Sequence, residues 1–221
     1  MKEYNLKTKR PKFFHCVLSI TKFILRIFFK AFFRIKVYGL EKIPKNTKLV
    51  LCSNHISYAD PVIIYAWYPG IIFFMAKVEA FTGWLPRTFL RYFTTFPVNR
   101  KKFDRQAIRY SLQVLNENEV VGIFPEGTRS TDGVIREAQK GVGLIAVMGQ
   151  SNVLPVAISG TNKIIQKPHK RIFFPQIRLI FGNVIDTQNI INQYGHSQAP
   201  EKIIEYAMDS IKLLYKKISI Q

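Results

Sequence analysis

The sequence predicts an α/β protein, a central mixed β-sheet flanked by helices, preceded by an N-terminal basic amphipathic helical arm. Three observations carry that prediction. Short apolar runs alternate with helix-period segments from Gly39 onward, the pattern of a sheet with helices on its faces. The 221 residues are 48% hydrophobic and 21% charged, enough apolar surface for a packed core and too much for a disordered chain. The charge is lopsided: 33 Lys and Arg against 14 Asp and Glu give a net +19, and residues 1–48 hold 13 of those cations with only Glu3 and Glu41.

The first element is a helix over Phe13–Ile35. Lys22, Arg26, Lys30 and Arg34 recur every four residues and drift only about 40° per step, a basic stripe about 120° wide. Phe, Ile and Leu fill the rest. A membrane span needs roughly 18–20 consecutive apolar residues. The longest run here without Lys or Arg, Phe13 to Thr21, has nine. A span and a signal peptide are therefore both disfavoured. The reading that fits is a helix in the membrane interface, apolar arc toward the acyl chains and basic stripe on anionic headgroups. The alternative is a helix packed on the domain's own core with its cations snorkelling outward. A domain boundary is expected near 38–47, dividing an arm (1–37) from an α/β body (38–221).

Within the body, Leu49–Cys52 reads as a strand, and Asp60-Pro61 as an N-cap and first helical residue of a helix to about Trp67. Ile71–Ala76 and Thr95–Asn99 read as strands. Asp104 caps a helix with Ile108, Leu112 and Leu115 on one face. Val120–Phe124 is a buried strand, Gly141–Met148 a helix, Val153–Ile158 and Ile177–Phe181 strands. A last helix runs from near Pro200 to about Lys217.

Four clusters fall at strand ends, where α/β folds carry their sites. In Asn54-His55-Ile56-Ser57-Tyr58-Ala59-Asp60, His55 and Asp60 would lie about 140° apart on a continuous helix. They meet only if the chain turns between them. A carboxylate on one imidazole nitrogen leaves the other as a general base. On these residues alone, Asp60 could equally be only a helix cap. Phe96–Arg100 ends in a guanidinium able to hold a phosphate bidentately, or in a plain basic turn. Phe124-Pro125-Glu126-Gly127-Thr128-Arg129-Ser130 is more specific, since a buried strand delivers a carboxylate, a flexible glycine, a hydroxyl and a guanidinium in one turn. Val153-Leu154-Pro155-Val156 has no reactive side chain and reads as core or as the wall of an apolar slot.

Other chemistries are excluded. Cys16 and Cys52 form no disulfide framework, the four His lack zinc spacing, and Gly141-Val142-Gly143 follows no strand and lacks the third glycine of a dinucleotide loop. No G-x-S-x-G nucleophile elbow occurs. Nucleic acid is disfavoured as the partner behind the +19 charge, because the most basic segment is also the most apolar.

In this order the clusters resemble the glycerolipid acyltransferase family, the 1-acylglycerol-3-phosphate O-acyltransferases. The family's N-H-x-x-x-x-D, Arg-ending, F-P-E-G-T-R-S and V-P-V blocks are matched at Asn54–Asp60, Phe96–Arg100, Phe124–Ser130 and Val153–Val156, and its Lys-Gly pair at Lys140-Gly141. The resemblance covers roughly residues 48–186. It implies acyl transfer from a thioester donor, acyl-CoA or acyl-acyl carrier protein, to the free hydroxyl of lysophosphatidic acid. His55 oriented by Asp60 would be the base, with no acyl-enzyme, cofactor or metal. It further implies that Asn54, Arg100, Glu126, Gly127, Thr128 and Arg129 bind substrate, and that Val153, Pro155 and Val156 wall the acyl pocket. The second block has Thr94-Thr95 where the family often has a small Gly before its Phe, which leaves open another lysophospholipid or a lyso-aminolipid as acceptor. A non-catalytic basic membrane-binding protein is the competing class. The expected location is peripheral, on anionic lipids at the cytoplasmic face of the cell membrane.

Overall fold

The computed structural model describes residues 11–99, 104–130, 132–139, 141–166 and 171–219. Arg100 and Lys140 lie outside them. The elements run α1 (Lys12–Phe33), β1 (Lys36–Tyr38), β2 (Leu49–Ser53), α2 (Asp60–Trp67), β3 (Ile72–Lys77), α3 (Trp84–Tyr92), β4 (Phe96–Val98), α4 (Arg105–Asn116), β5 (Val120–Ile123), α5 (Gly141–Met148), β6 (Asn152–Ser159), β7 (Ile165–Gln166), β8 (Arg171–Ile172), β9 (Arg178–Phe181) and α6 (Thr187–Ser219).

Seven strands form one sheet in the order β1-β9-β6-β2-β5-β3-β4. Every pairing is parallel except β6 with β9, so the sheet is mixed, as expected. β2 lies between β5 and β6, and all its residues are buried, the continuous apolar run of a strand covered on both faces. This adjacency positions the site. The loops leaving the carboxyl ends of β2 and β5 emerge side by side, and those loops hold residues 54–59 and 124–130.

Helix ends follow local chemistry. Asp104 caps α4, accepting from the N–H groups of Gln106 and Ala107. α4 buries Ala107, Tyr110, Val114 and Leu115, a face rotated from the one read off the sequence. Two helical segments make up α6, Thr187 to Tyr194 and His196 to Ser219, separated by a break at Gly195 (φ 75°, ψ 162°), so the last one starts four residues before Pro200, close to where the sequence places it. Gly143 allows α5 to meet α6, since a Cβ there would lie 1.8 Å from the Pro200 carbonyl oxygen.

The N-terminal helix is not a separate arm. Leu18, Phe29 and Phe33 join the main core, and β1 crosses the expected boundary to pair with β9. Half of the helix's basic stripe turns inward, while Lys30 and Arg34 stay exposed. Lys22 is buried, donating to the carbonyls of Tyr68 (2.8 Å) and Gly70 (2.6 Å), and Arg26 Nε donates to Ala66 O at 2.7 Å. α2 has no basic residue in its own last turn, so α1 supplies the cations that its terminal carbonyls attract. The face left outward is apolar: Phe13, Ile20, Phe23, Ile24, Ile27, Phe28 and Phe32 are all exposed. No described helix is long and apolar enough to cross a membrane.

Candidate active site

β2 ends at Ser53, and the next residue turns inward. Asn54 donates to Ile158 O and accepts from Ile158 N–H, both at 2.9 Å, with 1% of its surface exposed. The Asn54 amide thus pairs β6 backbone and cannot reach a substrate. This corrects its assignment as a binding residue: it fixes where the loop begins.

His55 follows, and its Nδ1 lies 2.9 Å from Asp60 Oδ2. The same oxygen accepts the N–H groups of Ile56 and Ser57, each at 2.7 Å. Asp60 Oδ1 accepts from Thr161 Oγ1 at 2.6 Å. Asp60 is therefore not the helix cap, because its carboxylate points back into the loop and Ala59 holds the cap position without a side-chain bond. Asp60 is fully buried. Four donors converge on this carboxylate, and the contact holds the imidazole with Nδ1 as donor. Nε2 is left as the nitrogen able to take a proton.

The β5 loop grips the same histidine. His55 N–H donates to Glu126 Oε1 at 3.0 Å, and Ser130 N–H donates to His55 O at 2.8 Å. Glu126 Oε2 accepts from Arg136 N–H at 3.0 Å. Burial pushes the Glu126 carboxyl above its usual range, and the backbone donors of Arg136 and His55 pull the other way. Glu126 therefore reads as a brace of two loops more than as a ligand for glycerol. Gly127, at φ +70° and with a prospective Cβ only 2.5 Å from Gln139 Nε2, makes the turn that a side chain would strain.

An apolar slot opens beside His55. A cavity of about 440 Å³ is lined by His55, Tyr58, Val62, Phe74, Phe89, Phe93, Phe124, Thr128 and Arg129, among others. His55 stacks on Phe124 (4.1 Å between centroids, 21° between planes), and Phe124 stacks on Phe74 (5.5 Å, 10°). Gly122 makes room for that stack, since a Cβ there would lie 2.4 Å from the Phe74 ring. At the mouth the Arg129 guanidinium lies 3.4 Å over the Tyr58 ring, an arrangement that holds the cation in place.

The predicted wall is elsewhere. Val153, Pro155 and Val156 lie on β6, separated from β3 by β2 and β5, and none lines this cavity. Val153 and Val156 are wholly buried, so they are core. The slot is walled instead by β3, α3 and Phe124. Among the described residues no cluster of three His, Cys, Asp or Glu could hold a metal. Cys52 is buried, and that burial pushes its thiol well above the usual range, far from a reactive thiolate. Sequence reasoning missed Thr161, Phe124's stacking role and Tyr58. Only Tyr58 had a local signal, its place inside the His55–Asp60 loop.

The acyltransferase family model matches residues 34–159, which contain the whole His55–Asp60 and Phe124–Ser130 constellation. The chain belongs to the acyltransferase family. Among curated relatives, this acyltransferase is 33% identical over 127 residues to the 1-acyl-sn-glycerol-3-phosphate acyltransferase of Bacillus subtilis, a match covering 57% of this chain and 63% of that protein. It is 30% identical over 156 residues to the enzyme of the same name from Streptococcus pneumoniae, covering 69% and 56%. The matches thus span less than two thirds of those relatives' lengths. The acyltransferase superposes on the crystal structure of PlsC, the 1-acyl-sn-glycerophosphate (LPA) acyltransferase of Thermotoga maritima, with a TM-score of 0.77 and 24% identity. That likeness covers 100% of this chain and 87% of PlsC, and establishes the fold.

Proposed function

We propose that this acyltransferase moves a fatty acyl group from a thioester donor, acyl-CoA or acyl-acyl carrier protein, to the free hydroxyl of lysophosphatidic acid, giving phosphatidic acid. The observation that carries the reading is the His55 Nδ1–Asp60 Oδ2 contact of 2.9 Å at the edge of an apolar slot. The names of the relatives in Bacillus subtilis and Streptococcus pneumoniae support the acceptor. His55 Nε2 takes the proton of the acceptor hydroxyl as its oxygen attacks the thioester carbonyl carbon. The tetrahedral intermediate collapses with cleavage of the carbon–sulfur bond, and the imidazolium returns the proton to the departing thiolate. Asp60 stays ionised throughout and stabilises the imidazolium. The slot takes the acyl chain. Arg129 and Thr128 at its mouth take the phosphate, and so does Arg100, two residues past β4 in the sequence. No cofactor enters; the thioester is itself a substrate.

The outward apolar face of α1 supports a peripheral seat on anionic membrane, on the cytoplasmic side where thioester donors are found. The test is thiol release from acyl-CoA on addition of lysophosphatidic acid in mixed vesicles, repeated with acyl carrier protein donors and other lysolipids. Release by the wild type with phosphatidic acid as product, and a loss of about 10³-fold or more in His55→Ala with vesicle binding retained, is the expected result. Activity of His55→Ala near the wild-type level would remove His55 as the base, and release confined to another lysolipid would move the acceptor.

A further inference from the structure

We infer that the short β7–β8 hairpin and the Phe173–Phe174 segment after it form a second contact with the anionic bilayer surface, continuous with α1. The inference rests on the reading of α1 as the membrane-docking helix. Ile165, Ile172, Phe173 and Phe174 are 58%, 67%, 42% and 49% exposed. None of these four large apolar side chains, on two-residue strands or just after them, belongs to the buried core. They are not isolated either. Phe174 packs on Phe32 (5.5 Å) and Phe33 (5.3 Å), and Phe32 packs on Phe28 (5.0 Å). The apolar face of α1 therefore passes into the hairpin through a row of rings. Soluble surfaces rarely carry apolar patches this extended without a partner.

Charge identifies the partner. From Tyr4 to Leu40 the chain has nine Lys or Arg and no Asp or Glu, and from Ala138 to Ile185 it has six and none. These are the two longest acid-free stretches of the chain, and both carry this surface. Lys163 and Arg171 are exposed at the hairpin, and Lys30 and Arg34 at the end of α1. Exposed aromatic and aliphatic groups rimmed by cations, with no carboxylate in either segment, match an interface of acyl chains beneath anionic headgroups.

Cys16 on α1 is exposed and Cys52 is buried, so a polarity-sensitive thiol dye on the unaltered full chain reports on α1. The same dye on Cys16→Ser, Phe173→Cys reports on the hairpin. With vesicles of phosphatidylglycerol and phosphatidylcholine in equal amounts, both labels are expected to shift to the blue. Ile172→Glu with Phe173→Glu is expected to weaken vesicle partition at least about tenfold, with unchanged circular dichroism. A shift at Cys16 with none at position 173 overturns the hairpin contact and leaves the α1 reading standing. No shift at either position overturns both. A blue shift at 173 on raising protein concentration without vesicles assigns the patch to a second copy, and overturns the bilayer as its occupant.

Discussion

At the scale of single residues, the site depends on how completely Asp60 is satisfied. Thr161 supplies the fourth hydrogen bond from 101 positions away, at 2.6 Å and 1% exposure. Removing the hydroxyl while keeping the shape would leave Asp60 Oδ1 buried without a donor, freeing the carboxylate to rotate off the imidazole. Thr161→Val is therefore expected to lower kcat about tenfold or more with little change in KM, and Thr161→Ser to restore most of it. A Val variant with wild-type kcat would show that three donors suffice. His55 and Asp60 were legible in the sequence because their relation is local: five residues and one turn bring them together. Thr161 was not, because its partner is fixed only by the sheet order that sets β6 beside β2. Asn54 was misread for the related reason that its partner, Ile158, is equally remote.

Elements explain where periodicity stops being informative. The spacing of Lys22, Arg26, Lys30 and Arg34 defined a stripe correctly, and nothing in it said what the stripe would face. For Lys22 and Arg26 the answer lay in the bare C-terminal carbonyls of α2, a tertiary feature, while Lys30 and Arg34 face solvent. The same holds for β6, whose apolar run suits a pocket wall or a sheet centre, and the sheet order decides for the centre. The burial of Lys22 has a measurable consequence. Desolvation, with Arg26 beside it, lowers its pKa to about 7. Unfolding restores the usual lysine value of about 10.4. Between those values the unfolded chain binds the proton and the folded one does not, so this group's contribution makes stability rise with pH from about 7 to about 10 and leaves it flat below. Lys22→Met should lose that part of the rise. The urea midpoint gained between pH 7 and 9.5 should be smaller in the variant than in the wild type, whatever offset the lost hydrogen bonds add at both. Equal gains would mean that Lys22 stays protonated in the folded protein.

For the whole molecule, the joining of α1 to the core changes how membrane docking is to be tested. Deleting residues 1–36 would strip Leu18, Phe29 and Phe33 from the core and remove Lys36 from β1, so lost binding would report lost folding. The outward face offers a cleaner probe. Phe23 and Ile27 are 62% and 52% exposed on one side of α1, where surface substitutions ordinarily change stability by no more than about 0.5 kcal/mol. Phe23→Glu with Ile27→Glu removes apolar area and sets two carboxylates against an anionic surface. Partition onto phosphatidylglycerol vesicles should fall at least about tenfold with the thermal midpoint retained. Salt separates the two attractions. The net +19 charge is screened as ionic strength rises, whereas burial of Phe and Ile is not. Wild-type binding should therefore weaken with salt toward a plateau, and the double variant should approach zero under the same conditions. Binding of the wild type that vanishes entirely in high salt would make the attachment purely electrostatic and leave the exposed apolar face of α1 without a role in it.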